Sequence, residues 1–235
     1  MKPELIVALD VPSAAAIPDI VNRLPEAVRF YKVGLELFVA SGPDALTFLQ
    51  QRGKRIFLDL KLHDIPRTVA RAVGSASGYG VALLTVHAGG GRAMLTAAAE
   101  ACPAGLDIVA VTTLTSLDQG DLTELGVSRD LRTHTTELGA LAIDCGISGL
   151  VCSPLEISAF RQRIGADPLI VTPGIRPADG ELGDQKRVAT PTMAVADGAS
   201  YLVVGRPILE AADPGLAAER ILQEIETAAR GHKGA

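Results

Sequence analysis

Short runs of consecutive apolar residues recur along the chain, and most are followed by a segment with helical character. Runs that are apolar at successive positions indicate strands buried on both faces, as in parallel sheets. Eight strands are predicted, at residues 5–9, 29–33, 55–58, 81–86, 107–112, 149–152, 169–172 and 201–204. Helices are predicted at residues 13–24, 43–52, 68–77, 92–101, 131–145, 154–164 and 216–229.

This alternation of strands and helices indicates an α/β protein with a parallel sheet. Eight strands favour a closed (β/α)8 barrel, the TIM barrel, over an open doubly wound sheet. The chain shows neither a GxxxxGK motif nor a GxGxxG motif after its first strand, which weakens the open nucleotide-binding alternative. A barrel of 235 residues needs one domain, so we expect a single domain over residues 1–235.

Composition excludes several classes of partner. The net charge is −5, and the chain has no tryptophan and 3% aromatic residues, which argues against nucleic-acid binding. No apolar run reaches the roughly 20 residues that a membrane span needs, and the first apolar run is too short for a signal peptide. The three cysteines lack metal-ligand spacing and are interpreted as buried thiols. A cytoplasmic location is expected.

Three charged residues, Asp59, Lys61 and Asp64, follow the third apolar run. Side chains two apart on a strand point the same way, so Asp59 and Lys61 are predicted to share one face. Unpaired buried charge is costly, so stability alone does not explain this group. The alternative is a solvated ion-pair cluster on a loop.

Polar residues also mark the carboxyl ends of most other predicted strands. In a barrel these ends form one mouth, where active sites lie. The alternative is that strand ends are polar because loops are polar. That would explain one or two of these residues, but not acid–base residues at the ends of most strands. The residues are Asp10, Lys32, Asp59 with Lys61, His87, Thr115, Arg176 and Arg206.

The last two strand ends suggest a phosphate site, because barrels often hold phosphate in the loops after strands seven and eight. Glycine lets backbone N–H groups approach an anion and arginine adds a charged fork; Gly174 with Arg176, and Gly205 with Arg206, supply both. The segment at about 174–190 is long for a strand-to-helix connection. We interpret it as a phosphate-gripping lid; a disordered surface loop is the alternative.

These motifs together resemble the orotidine 5′-phosphate decarboxylase family in its bacterial form, across almost the whole chain. The Asp-x-Lys-x-x-Asp core alone belongs to a wider group of phosphate-binding barrels, but the other motifs, in order, make the resemblance specific. The matching segments are VALD (7–10), YKVG (31–34), LDLKLHDIPRTV (58–69), TVHAGGG (85–91), LTS (114–116), VTPGIR (171–176), DQKR (184–187) and VVGRPI (203–208).

The resemblance implies decarboxylation of orotidine 5′-monophosphate without a cofactor or metal. It implies that Lys61 donates a proton to C6 within an array completed by Lys32, Asp59 and Asp64. It also implies a homodimer in which Asp64 and Thr68 reach the neighbouring subunit's site. The substrate contacts that it implies are Asp10 with Lys32 for the ribose, Thr115 for the pyrimidine, and Arg176, Gln185, Gly205 and Arg206 for the phosphate.

Two other functions remain possible from the residues. One is a metal-dependent sugar-phosphate decarboxylase or aldolase of the same barrel group. Such enzymes commonly carry Glu where this chain has Lys32, and a cation there would repel a metal. The other is a catalytically silent phosphate-binding protein, which would not need Asp59 and Lys61. His63 and His87 have no matching ligand cluster and are interpreted as structural.

Overall fold

A computed structural model of the protein describes residues 2–177 and 188–231. Its eight parallel strands close into a barrel in chain order, with the first strand paired to the last. This confirms the predicted (β/α)8 barrel. The strands are β1 Glu4–Ala8, β2 Phe30–Gly34, β3 Arg55–Leu62, β4 Leu83–His87, β5 Asp107–Val111, β6 Gly149–Val151, β7 Leu169–Thr172 and β8 Tyr201–Val204.

Helices surround the barrel. Proline in the first turn starts several of them, where its missing N–H costs nothing; the helix after β3 begins at Pro66 in this way. The helices are α1 Ile17–Arg23, α2 Leu35–Ser41, α3 Asp44–Gln51, α4 Pro66–Ser77, α5 Gly91–Glu100, α6 Gln119–Glu124, α7 Leu131–Asp144, α8 Ile157–Ile164, α9 Pro191–Ala196, α10 Arg206–Leu209 and α11 Pro214–Gly231.

The short helices α2, α6, α9 and α10 were not predicted from the sequence. The predicted helix at 13–24 is divided between a 3₁₀ turn, Ala14–Ala16, and α1. Strand β3 extends four residues beyond its predicted end at residue 58 and carries the charged residues Asp59 and Lys61 within it. The charges therefore lie on the strand itself rather than on a loop.

Apolar side chains fill two layers. Alternate strand residues such as Ile6, Phe30 and Phe57 form one cluster inside the barrel. Their neighbours, such as Leu5 and Val7, belong to the larger cluster between the barrel and the helices. Both faces of each strand are buried, which explains the continuous apolar runs. At the amino end of the barrel, the Arg55 guanidinium lies 4.1 Å from the centroid of the Phe30 ring.

The pairing between β3 and β4 contains one irregularity. Leu58 pairs with Leu84, and the next pair joins Leu62 to Val86. The register shift between these pairs is a β-bulge, which re-aims side chains and is frequent near active sites. Within the bulge, Lys61 has φ of 50°, and it alone among non-glycine residues in the described part of the chain has positive φ.

The three cysteines differ in burial. Cys145 and Cys152 are buried free thiols, as expected, whereas Cys102 is partly exposed. Within residues 2–177 and 188–231, no helix is both long and apolar enough to span a bilayer.

Candidate active site

A cavity of about 240 Å³ opens at the carboxyl ends of the strands. Its walls bring together most of the polar residues predicted for the mouth. Apolar residues from the strand interiors, such as Phe57, Val111 and Val203, line it beside them. The predicted residues in the lining are Asp10, Lys32, Asp59, Lys61, Thr115, Arg176, Gly205 and Arg206.

Four charged side chains, which we name the mouth cluster, form a chain of alternating sign: Asp10, Lys32, Asp59 and Lys61. Lys61 Nζ lies 2.9 Å from Asp59 Oδ1 and 2.8 Å from Oδ2. Lys32 Nζ lies 3.9 Å from Asp59 Oδ2 and 2.8 Å from Asp10 Oδ1. The side chains of Lys32 and Asp59 are only 12% and 13% exposed, so the centre of the cluster is not the solvated surface group of the alternative interpretation.

Two glycines leave space for this cluster. A Cβ on Gly34, at the end of β2, would lie 2.8 Å from Lys32 Nζ. A Cβ on Gly205, after β8, would lie 3.2 Å from Asp10 Oδ2. Contacts as short as 2.8 Å would force the Lys32 amine to move, so a side chain at Gly34 would disturb the cluster.

A buried hydroxyl from outside the set of predicted site residues joins this cluster. The Lys61 N–H donates to Thr85 Oγ1 at 2.7 Å, and Thr85 Oγ1 donates to Asp59 Oδ1 at 3.0 Å. Thr85 has no exposed surface. In the sequence, Thr85 is marked only as a polar residue within the apolar strand LLTVH. Threonine is common in strands, so this position does not by itself indicate a site residue.

Two arginines lie at the β7 and β8 side of the cavity. Arg176 is 8% exposed, and its pKa is lowered by burial and then by the positive charge of Arg206. Two cations that face one cavity favour an anionic ligand. Gln185, and most of the predicted lid at 174–190, fall outside the residues that the structure describes.

Asp64 and Thr68 do not line the cavity of their own chain. Both are exposed on the segment that follows β3, and Asp64 accepts a hydrogen bond from the N–H of Ile65 at 2.7 Å. Their predicted role in a neighbouring subunit's site therefore requires a second chain.

His63 and His87 stack on each other near the mouth, with ring centroids 5.4 Å apart. His87 is partly buried, and its pKa is lowered first by burial and then by the charges of His63 and Lys61. The predicted structural role of this pair remains a prediction. Within the described ranges, no three His, Cys, Asp or Glu side chains are grouped so that they could hold a metal ion.

A closed parallel barrel with a charged cavity at the carboxyl ends of its strands defines the class of (β/α)8-barrel enzymes. Comparison with known proteins gives the family. The model of the orotidine 5′-phosphate decarboxylase / HUMPS family matches residues 3–221. The chain belongs to this family.

Named relatives agree with that assignment. Orotidine 5′-phosphate decarboxylase from Nitrosospira multiformis is 49% identical over 225 residues, covering 95% of this chain and 94% of the relative. The enzyme of that name from Moorella thermoacetica is 49% identical, covering 96% and 93%. The crystal structure of the Lactobacillus acidophilus orotidine 5′-phosphate decarboxylase superposes with a TM-score of 0.85 at 39% identity, covering 95% and 99%. These relatives are carboxy-lyases, and the chain is an enzyme of that class.

Proposed function

We propose that this enzyme converts orotidine 5′-monophosphate to uridine 5′-monophosphate and CO2 in pyrimidine biosynthesis. The observation that carries the proposal is the Lys61 ammonium, held by both oxygens of Asp59 inside the mouth cavity. Family membership supports the substrate and the reaction.

The reaction needs a fixed positive charge. Loss of CO2 from C6 of the pyrimidine leaves a carbanion that no adjacent π-system delocalises. An ammonium placed beside C6 stabilises this charge electrostatically and then supplies the proton that replaces CO2. Asp59 contacts the Lys61 amine through both carboxylate oxygens, at 2.9 and 2.8 Å, and so fixes its position in the cavity. No cofactor is required by this scheme.

The remaining residues of the cavity bind the nucleotide. Asp10, paired with Lys32 at 2.8 Å, is assigned to the ribose hydroxyls, and Thr115 to the pyrimidine. Gly205 and the two arginines, which follow β8 and β7, line the same cavity and are assigned to the phosphate. The phosphate contacts are Arg176, Gln185, Gly205 and Arg206, of which Gln185 lies outside the described residues.

The phosphate is remote from the bond that breaks, so its binding energy can order the site and close the segment at 174–190. A substrate without the phosphate should therefore lose turnover as well as affinity. Equal turnover of orotidine and orotidine 5′-monophosphate at saturation would contradict a closing lid.

A homodimer completes the proposed site. Asp64 and Thr68, which are exposed and outside their own chain's cavity, are assigned to the partner's site. The exposed apolar side chains of Leu35, Val39 and Ile65, at 50%, 81% and 68% exposure, support a protein contact there. They lie on the segments that follow the neighbouring strands β2 and β3.

The direct test follows decarboxylation by the loss of the substrate's absorbance band. Activity should survive a chelator and disappear in Lys61→Ala. The matched control is Lys54→Ala, because Lys54 pairs with Glu26 at 2.9 Å just before the amino end of β3. Activity that a chelator removes would favour the metal-dependent sugar-phosphate enzyme instead. Full activity in Lys61→Ala would overturn the assigned proton donor.

A further inference from the structure

The β-bulge in β3 leaves an uneven match between two strands at the active site. The strand pairs on either side of the bulge are Leu58 with Leu84 and Leu62 with Val86. Three β3 residues, 59–61, therefore lie opposite the single β4 residue Thr85. A bulge disrupts the ladder of backbone hydrogen bonds. The Lys61 N–H is instead bonded to the Thr85 hydroxyl at 2.7 Å. A side chain thus replaces a strand carbonyl at the proposed proton donor.

The same hydroxyl reaches the counter-ion of that donor. A threonine hydroxyl has one hydrogen to donate and two lone pairs that accept. The Lys61 N–H occupies a lone pair, and the hydrogen is directed to Asp59 Oδ1 at 3.0 Å. Asp59 in turn binds Lys61 Nζ through both oxygens. Backbone, hydroxyl, carboxylate and ammonium therefore form one closed ring of contacts.

We propose that Thr85 is a positioning residue of the active site, which holds the backbone of Lys61 and the carboxylate of Asp59 in one fixed relation. This inference rests on the proposed function, since it concerns where the Lys61 ammonium meets C6. Thr85 is absent from the cavity lining, so it acts through its two partners. Its β-branched side chain has few χ1 rotamers, which restricts where the hydroxyl can lie.

The two hydrogen bonds of the Thr85 hydroxyl predict which substitutions of Thr85 should lower activity. Valine has the shape of threonine but removes the acceptor of the Lys61 N–H and one donor to Asp59, at a position that itself has no exposed surface. Serine retains the hydroxyl and both bonds. If Thr85 only filled space in β4, valine would be the milder change and serine the worse one.

The test compares Thr85→Val, Thr85→Ala and Thr85→Ser in the full-length enzyme. Decarboxylation of orotidine 5′-monophosphate gives kcat and KM, and titration with uridine 5′-monophosphate gives the Kd of the product. We expect the valine and alanine variants to lower kcat by about 10- to 100-fold, while KM and the product Kd change less than about threefold. The serine variant should stay within about threefold of wild type in kcat.

The control is Ser200→Ala, which removes another buried hydroxyl. Ser200 Oγ accepts the N–H of Ile170 at 3.1 Å at the amino end of the barrel, far from the mouth cluster. It should lower the melting temperature without lowering kcat. The proposal fails if the serine variant loses as much kcat as valine, if valine and alanine retain wild-type kcat, or if the control loses kcat equally.

A second measurement separates this proposal from the proposed function. Amide exchange at Lys61, followed by NMR in the absence of substrate, should accelerate in Thr85→Val and not in Thr85→Ser. Unchanged exchange in the valine variant would overturn the bridge whatever the enzyme catalyses. A wild-type enzyme that does not decarboxylate the nucleotide would overturn the proposed function and leave this measurement valid.

Discussion

The positive φ of Lys61 should lower the free energy of unfolding of the protein, and substitution by glycine should remove this cost. Lys61 has φ of 50°, a conformation in which an L side chain meets its own backbone but glycine does not. Lys61→Gly and Lys61→Ala both remove the ammonium and its contact with Asp59. Their difference therefore isolates the backbone, because the loss of the ion pair is common to both.

The magnitude follows from the cost of this conformation. A residue with Cβ in the left-handed region is less stable by roughly 1–2 kcal/mol, and the extra freedom of glycine in the unfolded chain offsets about 0.5–1 kcal/mol. Lys61→Gly should thus exceed Lys61→Ala in stability by about 1 kcal/mol. In a chain of 235 residues this corresponds to about 2–4 °C in Tm.

Urea or thermal unfolding followed by far-UV circular dichroism measures this difference, since the chain has no tryptophan for fluorescence. Both variants are compared at one protein concentration because assembly shifts Tm. The control pair is Asp107→Gly and Asp107→Ala, at an exposed β5 position without positive φ. There alanine should be the more stable by about 0.5–1 kcal/mol. The same order at both positions would refute strain at Lys61.

Three further predictions concern pH, packing and the phosphate. Burial lowers the pKa of His87 below 6.5, so this histidine is protonated at a higher pH in the unfolded chain than in the folded protein. The free energy of unfolding should fall as pH drops below about 6.5, with a shallower fall in His87→Asn; equal slopes would contradict this. A Cβ on Gly149 would overlap the backbone of Leu169, so Gly149→Ala should lose about 1–3 kcal/mol in urea unfolding. Gly74→Ala, with open space around its Cβ, should lose nothing. Arg206→Ala should raise KM for orotidine 5′-monophosphate strongly and leave turnover of orotidine unchanged; equal losses with both would argue against a phosphate ligand.

The fold was predictable because burial on both faces of a parallel strand leaves an unmistakable apolar run. Each of the eight predicted strands has a counterpart in the barrel. Helix α2 was missed for a physical reason. It begins at Leu35, directly after β2 ends at Gly34, and carries exposed apolar side chains such as Leu35 and Val39. Its apolar positions do not mark a buried face, and no separate start signal precedes it.

The site was predictable where topology alone decides position. Parallel strands in a closed barrel direct every carboxyl end to one mouth, so Asp10, Lys32 and Arg206 meet although they are far apart in sequence. Thr85 was not predictable in this way. Its role depends on the register between β3 and β4 and on a bulge, which are non-local properties that one strand's sequence does not encode.

The proposed sharing of sites between subunits leads to a quantitative test. Suppose that Lys61→Ala and Asp64→Ala chains are each inactive and are mixed in equal amounts with full exchange. About half of the dimers are then mixed, and each has one site with both lesions and one with neither. About a quarter of all sites are intact, so activity should recover to about a quarter of the wild-type value. Mixing Lys61→Ala with Asp59→Ala is the control. If each subunit's own Asp59 serves its own Lys61, as their 2.8 Å contact indicates, neither kind of site in that mixed dimer is intact, and activity should stay absent. Recovery in both mixtures, or in neither despite proven exchange, would contradict a site that Asp64 enters from the partner.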